Sequence, residues 1–374
     1  MVESLRVLWL NWRDIKHPLA GGAEVYMHEV ARRLVRQGFE VTLLTSRFRG
    51  APRAEVIDGY EVVRSGGRLG VYLSARRSYL RSFRGGVDVV VDEINTVPFM
   101  TPLYVREPVV ALIHQLCVEC WYYHYPKPLA WVGRAVEPVL HKPYVREALR
   151  GGLAVVTVSE STRGDLESLG YPGSSIRIVR NGIDVGKYRA CPKSLRPRVC
   201  YVGRVTPYKR VEDQVRAYAL LKEEFKDLEW VVAGRADPVY LARLKALARE
   251  LGVDPVFMVN VSHEEKVGVL CSSWVHVYTS VREGWGQTVI EAAACGTPTV
   301  AYDVPGLRDS IKYLGWGALA PSSYRGLARV VAGFVRRGPP QPPPGVAERV
   351  RGLSWDRAAE AFTQVLKEVV VGGG

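Results

Sequence analysis

The feature that most constrains the fold is an alternation of short apolar strands with helical segments, which the chain runs through twice. Strands are predicted in the first half at residues 5–11, 39–46, 60–64, 87–91, 109–114, 153–159 and 176–181. The second half repeats the pattern, with strands predicted at residues 198–203, 228–233, 256–261, 274–278 and 298–302. Strands that alternate with helices form parallel sheets with both faces covered. The sequence therefore predicts an α/β protein with two Rossmann-like, doubly wound domains.

Chain length and the least regular stretch of sequence indicate the domain boundaries. The 374 residues exceed what one hydrophobic core usually supports. Residues 181–198 are turn-rich, basic and without periodicity, which is typical of an interdomain linker. A proline-rich break at residues 338–344 precedes an amphipathic helix at residues 355–370. We therefore predict domains over residues 1–182 and 183–352 and a closing helix within residues 353–374.

The composition favours a cytoplasmic protein without disulfides. No apolar run reaches the roughly 18 to 20 residues of a membrane-spanning helix, and the N-terminal residues lack the basic-then-apolar order of a signal peptide. The six cysteines are mostly far apart, so Cys200, Cys271 and Cys295 are expected to be small core residues. The spacing H-x2-C-x2-C-x3-H at residues 114–124 fits no common zinc site. Few asparagines and many arginines suggest a thermophilic source.

Positive charge is concentrated in the first half of the chain. The formal net charge is +13, and six arginines without any acidic residue lie between Glu61 and Asp88. Residues 70–84 interleave arginines with apolar residues, as a basic amphipathic helix on a membrane does; a solvated helix with snorkelling arginines is the alternative. Residues 121–144 are rich in aromatic residues and proline, which predicts an irregular, exposed aromatic surface. No RNA-recognition signature accompanies the charge, so we expect an anionic membrane rather than nucleic acid as the partner.

Residues 278–296 predict an anion site in the second domain. A strand runs into a turn that contains Gly284 and Gly286, and a helix follows. The unpaired N–H groups and positive dipole at such a helix start favour a phosphate above the turn. Glu283 and Glu291 flank this turn, and Glu291 is placed to accept hydrogen bonds from sugar hydroxyls beside that phosphate. A purely structural turn explains the same pattern, so the turn alone leaves both interpretations open.

Two cations follow the first strand of the second domain. Arg204 and Lys209 come directly after that strand, at the carboxyl edge where doubly wound domains bind ligands. Two cations there neutralise a diphosphate and stabilise it as a leaving group. In the first domain, Gly21 and Gly22 form a similar strand–loop–helix junction that lets a ligand approach the backbone. Together with the turn at residues 283–291, these positions favour a functional site over isolated surface charges.

These motifs resemble those of a known enzyme family. The spacing G-R-x4-K at residues 203–209, followed by E-G-W-G-x4-E at residues 283–291, is similar to that of the retaining glycosyltransferases of family 4. Their GT-B fold has two facing Rossmann-like domains and a closing helix that packs back on the first. The resemblance covers nearly the whole chain, and the loop at residues 21–24 and His114 at a strand end are further matches.

The resemblance implies catalytic roles for four side chains and a binding role for a fifth. Arg204 and Lys209 would bind the donor diphosphate and stabilise it as it leaves. Glu283 would contact the transferred sugar, and His114 would lie beside that sugar. Glu291 would hold the ribose hydroxyls of the nucleotide.

The other donor-binding positions implied by the resemblance are mostly backbone or loop residues. They are expected to contact the phosphates, the sugar or the base, and they are Gly21, Gly22, Gly203, Val261, Gly284, Trp285, Gly286 and Gln287. Trp285 stands where the family more often has phenylalanine, and Gln287 where leucine is common, so the identity of the sugar is open. The chain has no Asp-x-Asp motif, so we expect neither a metal nor another cofactor, the nucleotide sugar being a substrate.

The activity implied by the resemblance is transfer of a hexose with retention at the anomeric carbon. The second domain would bind the donor, with GDP-mannose expected from the habit of the family and a UDP-sugar such as UDP-glucose as the alternative. The first domain would bind a polyprenyl- or phospholipid-linked glycan, with the protein peripheral on the cytoplasmic face of the membrane. A nucleotide-sugar epimerase, a phosphorylase of the same fold and a non-catalytic basic binding protein are the other hypotheses.

Overall fold

The chain forms two compact units in the computed structural model, which describes residues 4–372 apart from the side chain of His124. The first unit contains the chain up to Trp121, residues 127–182 and the C-terminal part from Trp355. The second contains residues 122–126 and 183–354. Each unit has its own sheet, parallel except for one edge strand of the first, so the α/β fold predicted from the sequence, with two Rossmann-like domains, is confirmed.

The strands of the described chain are numbered here in chain order. They are β1 (Arg6–Leu10), β2 (Glu40–Thr45), β3 (Ala54–Ile57), β4 (Tyr60–Arg64), β5 (Val89–Ile94), β6 (Val109–Ile113), β7 (Leu153–Thr157), β8 (Ile176–Ile178), β9 (Arg198–Val202), β10 (Glu229–Gly234), β11 (Val256–Val259), β12 (Val275–Tyr278), β13 (Thr299–Tyr302) and β14 (Ala318–Ala320). The first sheet has the order β3-β4-β2-β1-β5-β6-β7-β8 and the second β11-β10-β9-β12-β13-β14. β3 and β4 pair antiparallel, and the short edge strand β3 is an element that the sequence pattern does not predict.

The α-helices of the described chain are likewise numbered in order. They are α1 (Gly22–Arg36), α2 (Val71–Ser78), α3 (Trp121–His124), α4 (Lys127–Leu149), α5 (Glu160–Ser168), α6 (Val211–Glu224), α7 (Pro238–Glu250), α8 (His263–Ser272), α9 (Gln287–Ala294), α10 (Leu307–Leu314), α11 (Tyr324–Arg336), α12 (Val346–Gly352) and α13 (Trp355–Gly372). α2 continues as a π-helix over Tyr79–Phe83, so the predicted basic amphipathic segment is helical.

The buried strands form because their sequences are continuous apolar runs. β6 (VVALI) is buried at every position, as expected for a strand covered by helices on both faces. α1 buries one stripe that includes Met27, Val30 and Leu34, at helical spacing, and packs against β2 and α13. Because helices cover both faces of such a sheet, ligands bind at the carboxyl ends of its strands and at the loops that follow them.

The prediction of an irregular aromatic surface over residues 121–144 is wrong about its backbone. The segment forms α3 and α4, and α4 contains Pro138 and Pro143 within the helix. Residues Ala130, His141 and Tyr144 are among those that α4 buries at helical spacing, and this packing outweighs the helix-breaking tendency of proline. The predicted exposure holds on the other side of the helix, where Trp131 is 65% exposed.

The closing helix α13 belongs to the first unit. Its Phe362 ring stacks on Trp9 of β1 with 5.1 Å between ring centroids. Asp356 accepts a hydrogen bond from Arg33 of α1 at 2.6 Å. The predicted return of the C-terminal helix to the first domain is therefore confirmed.

Candidate functional site

Two glycines bring the strand ends of the second unit close together. Gly203 follows β9, and a Cβ there would lie 2.7 Å from the hydroxyl of Tyr201. Gly234 ends β10 with φ +140°, and its α-carbon approaches the Gly203 carbonyl so closely that a side chain would clash with it. The sequence therefore needs glycine at both positions, which leaves backbone accessible at the carboxyl edge of the sheet.

Lys209 is a buried cation at this edge. Its side chain is 6% exposed, and its Nζ donates to the carboxylate of Glu283 and, at 3.2 Å, to the hydroxyl of Tyr278. Burial alone would lower the pKa of Lys209, but the Glu283 carboxylate and Tyr278 together raise that pKa above its ordinary value. Because an ammonium group has three N–H donors, Lys209 retains one for a further acceptor.

Glu283 is oriented by its neighbours. The Ser280 hydroxyl and Lys209 both donate to its Oε1, and its backbone N–H donates to the carbonyl of Pro305 at 3.1 Å. These contacts leave Oε2 of Glu283 available as an acceptor. A carboxylate held in this way suits the orientation of a bound hydroxyl group.

The turn that follows Glu283 requires glycine. Gly286 has φ +75° and would place a Cβ 2.7 Å from Leu307, so a side chain is excluded there. α9 begins at Gln287 and directs its first N–H groups toward this turn. Trp285 is 3% exposed and its indole packs against Tyr313, so its backbone rather than its ring lies on the turn.

Glu291 lies in the second turn of α9 and has two partners. Its Oε1 accepts a hydrogen bond from the Tyr188 hydroxyl at 2.7 Å. Its Oε2 lies 2.6 Å from Nζ of Lys266 on α8. Neither partner can be inferred from the sequence, because Tyr188 lies in the predicted linker and no local pattern brings Lys266 of α8 close to Glu291.

The remaining predicted positions of the second unit lie on loops around the same edge. Arg204 is exposed and, within the described chain, its guanidinium has no carboxylate partner. Val261 lies between β11 and α8, next to Asn260, whose φ is +57°. The structure therefore brings Arg204, Lys209, Glu283 and the turn before α9 to one edge of one sheet.

In the first unit, the predicted glycines cap a helix. Gly21 is the N-cap of α1, and its backbone N–H donates to Oε2 of Glu24 at 2.6 Å. Glu24 is completely buried, and Arg13 donates to its Oε1 at 2.8 Å. Gly22 begins the helix, and a Cβ there would meet no atom within 4 Å, so that position is open.

His114 follows β6 and is oriented by a buried carboxylate. Its Nε2 lies 3.1 Å from Oε1 of Glu93, and the Trp9 indole donates to Oε2 of the same residue at 2.8 Å. Burial raises the pKa of Glu93, against the opposing effect of the hydrogen bond with His114. Tyr26 packs edge-on against the imidazole at 5.1 Å. In the sequence, Glu93 could be recognised as a candidate because it is an acidic residue at the end of an otherwise apolar strand.

One expectation about the cysteines is wrong. Cys191 and Cys271 form a disulfide, with 5.3 Å between their Cα atoms and 80 residues between them in sequence. Cys271 is buried in the core as expected, but its partner comes from the predicted linker, which pattern reading cannot pair with a helix so far away. Cys200 and Cys295 are buried without such a bond.

The segment at residues 114–124 is organised by a carboxylate. Glu137 of α4 accepts hydrogen bonds from the backbone N–H groups of Cys117 at 2.6 Å and Val118 at 3.0 Å. The described side chains contain no group of three His, Cys, Asp or Glu residues arranged to hold a metal; the side chain of His124 lies outside them.

Two family models match consecutive parts of the chain. Glycosyltransferase Family 4 matches residues 20–187, and Glycosyl transferases group 1 matches residues 192–336. The chain belongs to glycosyltransferase family 4. This glycosyltransferase is 26% identical to the D-inositol 3-phosphate glycosyltransferase of Salinispora tropica over 94% of its own length and 82% of that relative. It is 27% identical to the 2-deoxystreptamine glucosyltransferase of Streptomyces kanamyceticus over 66% of each chain.

Solved structures share the fold of this glycosyltransferase. Sucrose-phosphate synthase from Thermosynechococcus elongatus superposes with a TM-score of 0.81 at 18% identity, covering 98% of this chain and 99% of that one. Anabaena HepE in complex with UDP and glucose gives 0.71 at 16% identity, covering 97% and 99%. Among its described residues, the glycosyltransferase has no helix long and apolar enough to cross a membrane.

Proposed function

We propose that this glycosyltransferase moves a hexose from a nucleoside diphosphate sugar to a hydroxyl group of a lipid-linked glycan, with retention at the anomeric carbon. The observation that carries the proposal is Lys209, a buried ammonium group with an unused N–H donor beside the glycine turn. Exposed Arg204 lies at the same edge and offers a planar set of donors that matches phosphate oxygens.

The contacts support a division of labour between these residues. In this proposal negative charge grows on the diphosphate as the sugar leaves, and Lys209 and Arg204 stabilise that charge. Oε2 of Glu283 is open to the transferred sugar, while its Oε1 is occupied by Lys209 and Ser280. In this proposal Glu283 orients the sugar, and the departing phosphate helps to deprotonate the acceptor on the same face.

The roles proposed for the first unit are positioning roles. His114, held by Glu93, would contact the transferred sugar, and the open N-terminus of α1 at Gly21 and Gly22 would receive the diphosphate. Glu24 already bonds the Gly21 N–H, so the anion would use the N–H groups that follow.

The base and the sugar of the donor are proposed as two alternatives. GDP-mannose follows from the habit of the family, and no residue described above selects it. A UDP-sugar is favoured by the names of similar proteins, since one relative is a glucosyltransferase and one structural neighbour binds UDP and glucose.

The acceptor proposal rests on an exposed apolar surface of the first unit. On α4, Leu129, Trp131 and Val132 are 59%, 65% and 59% exposed, and on α2 Leu73 is 62% exposed. Both helices pack against the same core cluster, so they cover the same face of the sheet. With the arginines of α2, these exposed residues have the composition of a peripheral membrane surface. A soluble inositol phosphate is a second candidate, favoured by the name of the Salinispora relative and by the positive charge.

Calorimetric titration tests the donor half of the proposal. The purified protein is titrated with UDP, GDP, UDP-glucose and GDP-mannose, and the binding nucleotide also stabilises it by about 2.7 kcal/mol at 100 times its dissociation constant. The binding sugar nucleotide is then incubated without acceptor, since hydrolysis or epimerisation of the donor there would favour the other enzyme hypotheses. Absence of binding by all four compounds would contradict the proposed function.

A further inference from the structure

The carboxylate of Glu291 is fixed from two directions before any ligand arrives. Tyr188 donates to one oxygen at 2.7 Å, and Lys266 lies 2.6 Å from the other. Glu291 is only 6% exposed, and its neighbours also contact each other, with 3.4 Å between the Lys266 Nζ and the Tyr188 hydroxyl. These three side chains form one cluster, called here the Glu291 cluster.

The cluster leaves one oxygen of the carboxylate able to accept a hydrogen bond from a ribose hydroxyl. A carboxylate oxygen can accept two hydrogen bonds; Tyr188 uses one on Oε1, whereas Oε2 is buried beside the Lys266 ammonium group and has no hydrogen-bond donor among the described residues. Burial, together with the Glu291 carboxylate, raises the pKa of Tyr188 far above its ordinary value, so its hydroxyl stays protonated and donates. The acceptor position that remains for a ribose hydroxyl is therefore on Oε1, while the buried Oε2 is held by Lys266.

The segment that carries Tyr188 is attached to the helix that carries Lys266. The carbonyl of Lys187 accepts a hydrogen bond from Nε2 of His263, at the start of α8, at 3.0 Å. At the other end of α8, the Cys191–Cys271 disulfide joins the same two elements. A covalent bond therefore helps to fix the position of Tyr188 relative to Lys266.

We propose that Tyr188 and Lys266 are positioning residues that hold Glu291 in the orientation for a ribose hydroxyl, and so set how strongly the enzyme selects ribonucleotides. This inference rests on the proposed function, in which Glu291 meets the ribose. Its physical basis is preorganisation: a glutamate fixed in advance loses no side-chain freedom when the nucleotide binds.

The test compares nucleotides that differ only in the ribose. Dissociation constants of UDP, GDP and their 2′-deoxy forms are measured by calorimetry for the wild type, Tyr188→Phe, Lys266→Met and Glu291→Gln. For the ribonucleotide that binds, we expect Tyr188→Phe and Lys266→Met each to weaken binding about 5- to 10-fold, since a hydrogen bond contributes about 1 kcal/mol. The 2′-deoxy form should bind these variants within about twofold of the wild type, so the selectivity ratio falls toward that of Glu291→Gln.

The matched control is Tyr218→Phe. Tyr218 lies in the same unit, and its hydroxyl also donates to a carboxylate, that of Asp254, at 3.3 Å. This variant should leave the selectivity ratio unchanged. If Tyr188→Phe and Lys266→Met retain the wild-type ratio while Glu291→Gln loses it, the inference is overturned and the proposed function stands. Equal weakening of both sugar forms would show a merely structural role and also overturn it. If no nucleotide binds the wild type, the proposed function itself fails.

Discussion

Lys209 and Glu283 form an ion pair in which the two side chains are 6% and 15% exposed, at the edge of the second sheet that carries the glycine turn. A buried pair of this kind is strongly destabilised when one partner is removed, because the other charge remains without compensation. The pair therefore has a structural as well as a proposed catalytic role, and experiments must separate the two.

Replacing Lys209 with alanine or methionine should lower turnover at least about 100-fold, as loss of a donor to a charged transition state does. The same change should lower the free energy of unfolding by about 3–5 kcal/mol, because Glu283 loses its counter-ion. Steady-state kinetics and urea unfolding measure the two effects. The double variant Lys209→Met/Glu283→Gln removes the uncompensated charge, so it should regain stability but not turnover. Near-normal turnover in a folded Lys209 variant would contradict the catalytic assignment.

Arg204→Ala should behave differently, because this side chain is exposed and has no carboxylate partner within the described chain. We expect the free energy of unfolding to change by less than about 0.5 kcal/mol. Donor affinity should fall about 10-fold or more, as a hydrogen bond to a charged group is worth about 1.5–3 kcal/mol. Arg243→Ala, which removes an exposed arginine of α7, is the control. Equal donor affinity in the two variants would show that Arg204 does not bind the donor.

The fold and the second-unit motif could be predicted because their signals are local. The buried parallel strands are continuous apolar runs such as β6, and Gly286 is required by a backbone angle, so each can be recognised within a few residues of sequence. The two motif segments join because the carboxyl ends of parallel strands share one edge.

The contacts that were missed are those between distant segments. Tyr188 and Glu291 are 103 residues apart, and no local pattern distinguishes a tyrosine that bonds a carboxylate from one in a loop. The disulfide was missed for the same reason. α4 was missed because two prolines suggest irregular backbone, whereas the energy that forms it comes from packing on the sheet.

Removing the disulfide should weaken both the fold and the ribose site. For Cys191→Ala/Cys271→Ala, or for the reduced wild type, we expect the free energy of unfolding to fall by about 2–4 kcal/mol, since the bond closes a long loop. The ratio of ribonucleotide to 2′-deoxynucleotide affinity should also fall, because Tyr188 and Lys266 lose a link between their elements. Urea unfolding and calorimetry measure these effects. Reductant should have no effect on the double variant, and equal values for oxidised and reduced wild type would contradict the prediction.

His141 should make the stability of the first unit depend on pH. It is 1% exposed, its Nδ1 lies 2.8 Å from the Tyr171 hydroxyl, and burial lowers its pKa to about 4. In the unfolded chain a histidine has a pKa of about 6.5, so between those values the unfolded state binds a proton that the folded state does not. Stability should therefore fall as pH falls through this window, by up to about 1.4 kcal/mol per pH unit.

Urea unfolding between neutral and mildly acidic pH measures this slope, and His141→Gln should reduce it in the first unit. His276 of β12 provides an internal comparison, because burial lowers its pKa to about 3 and its contribution to the second unit remains in that variant. An identical slope in the wild type and in His141→Gln would contradict the prediction.

The exposed surface of α2, of its π-helical continuation and of α4 should bind anionic membranes. In flotation with vesicles that contain phosphatidylglycerol, Arg77→Glu/Arg81→Glu should lower the partition coefficient about 30-fold or more, since each basic residue near anionic lipid contributes about 1 kcal/mol. Trp131→Ser should weaken binding through lost apolar burial, including at high salt, where the arginine contribution is screened. Arg243→Glu/Arg249→Glu changes the net charge of the protein by the same amount on α7 and should leave flotation nearly unchanged. If that control weakens binding equally, the attraction is one of net charge rather than of this surface, and a soluble acceptor becomes the better proposal.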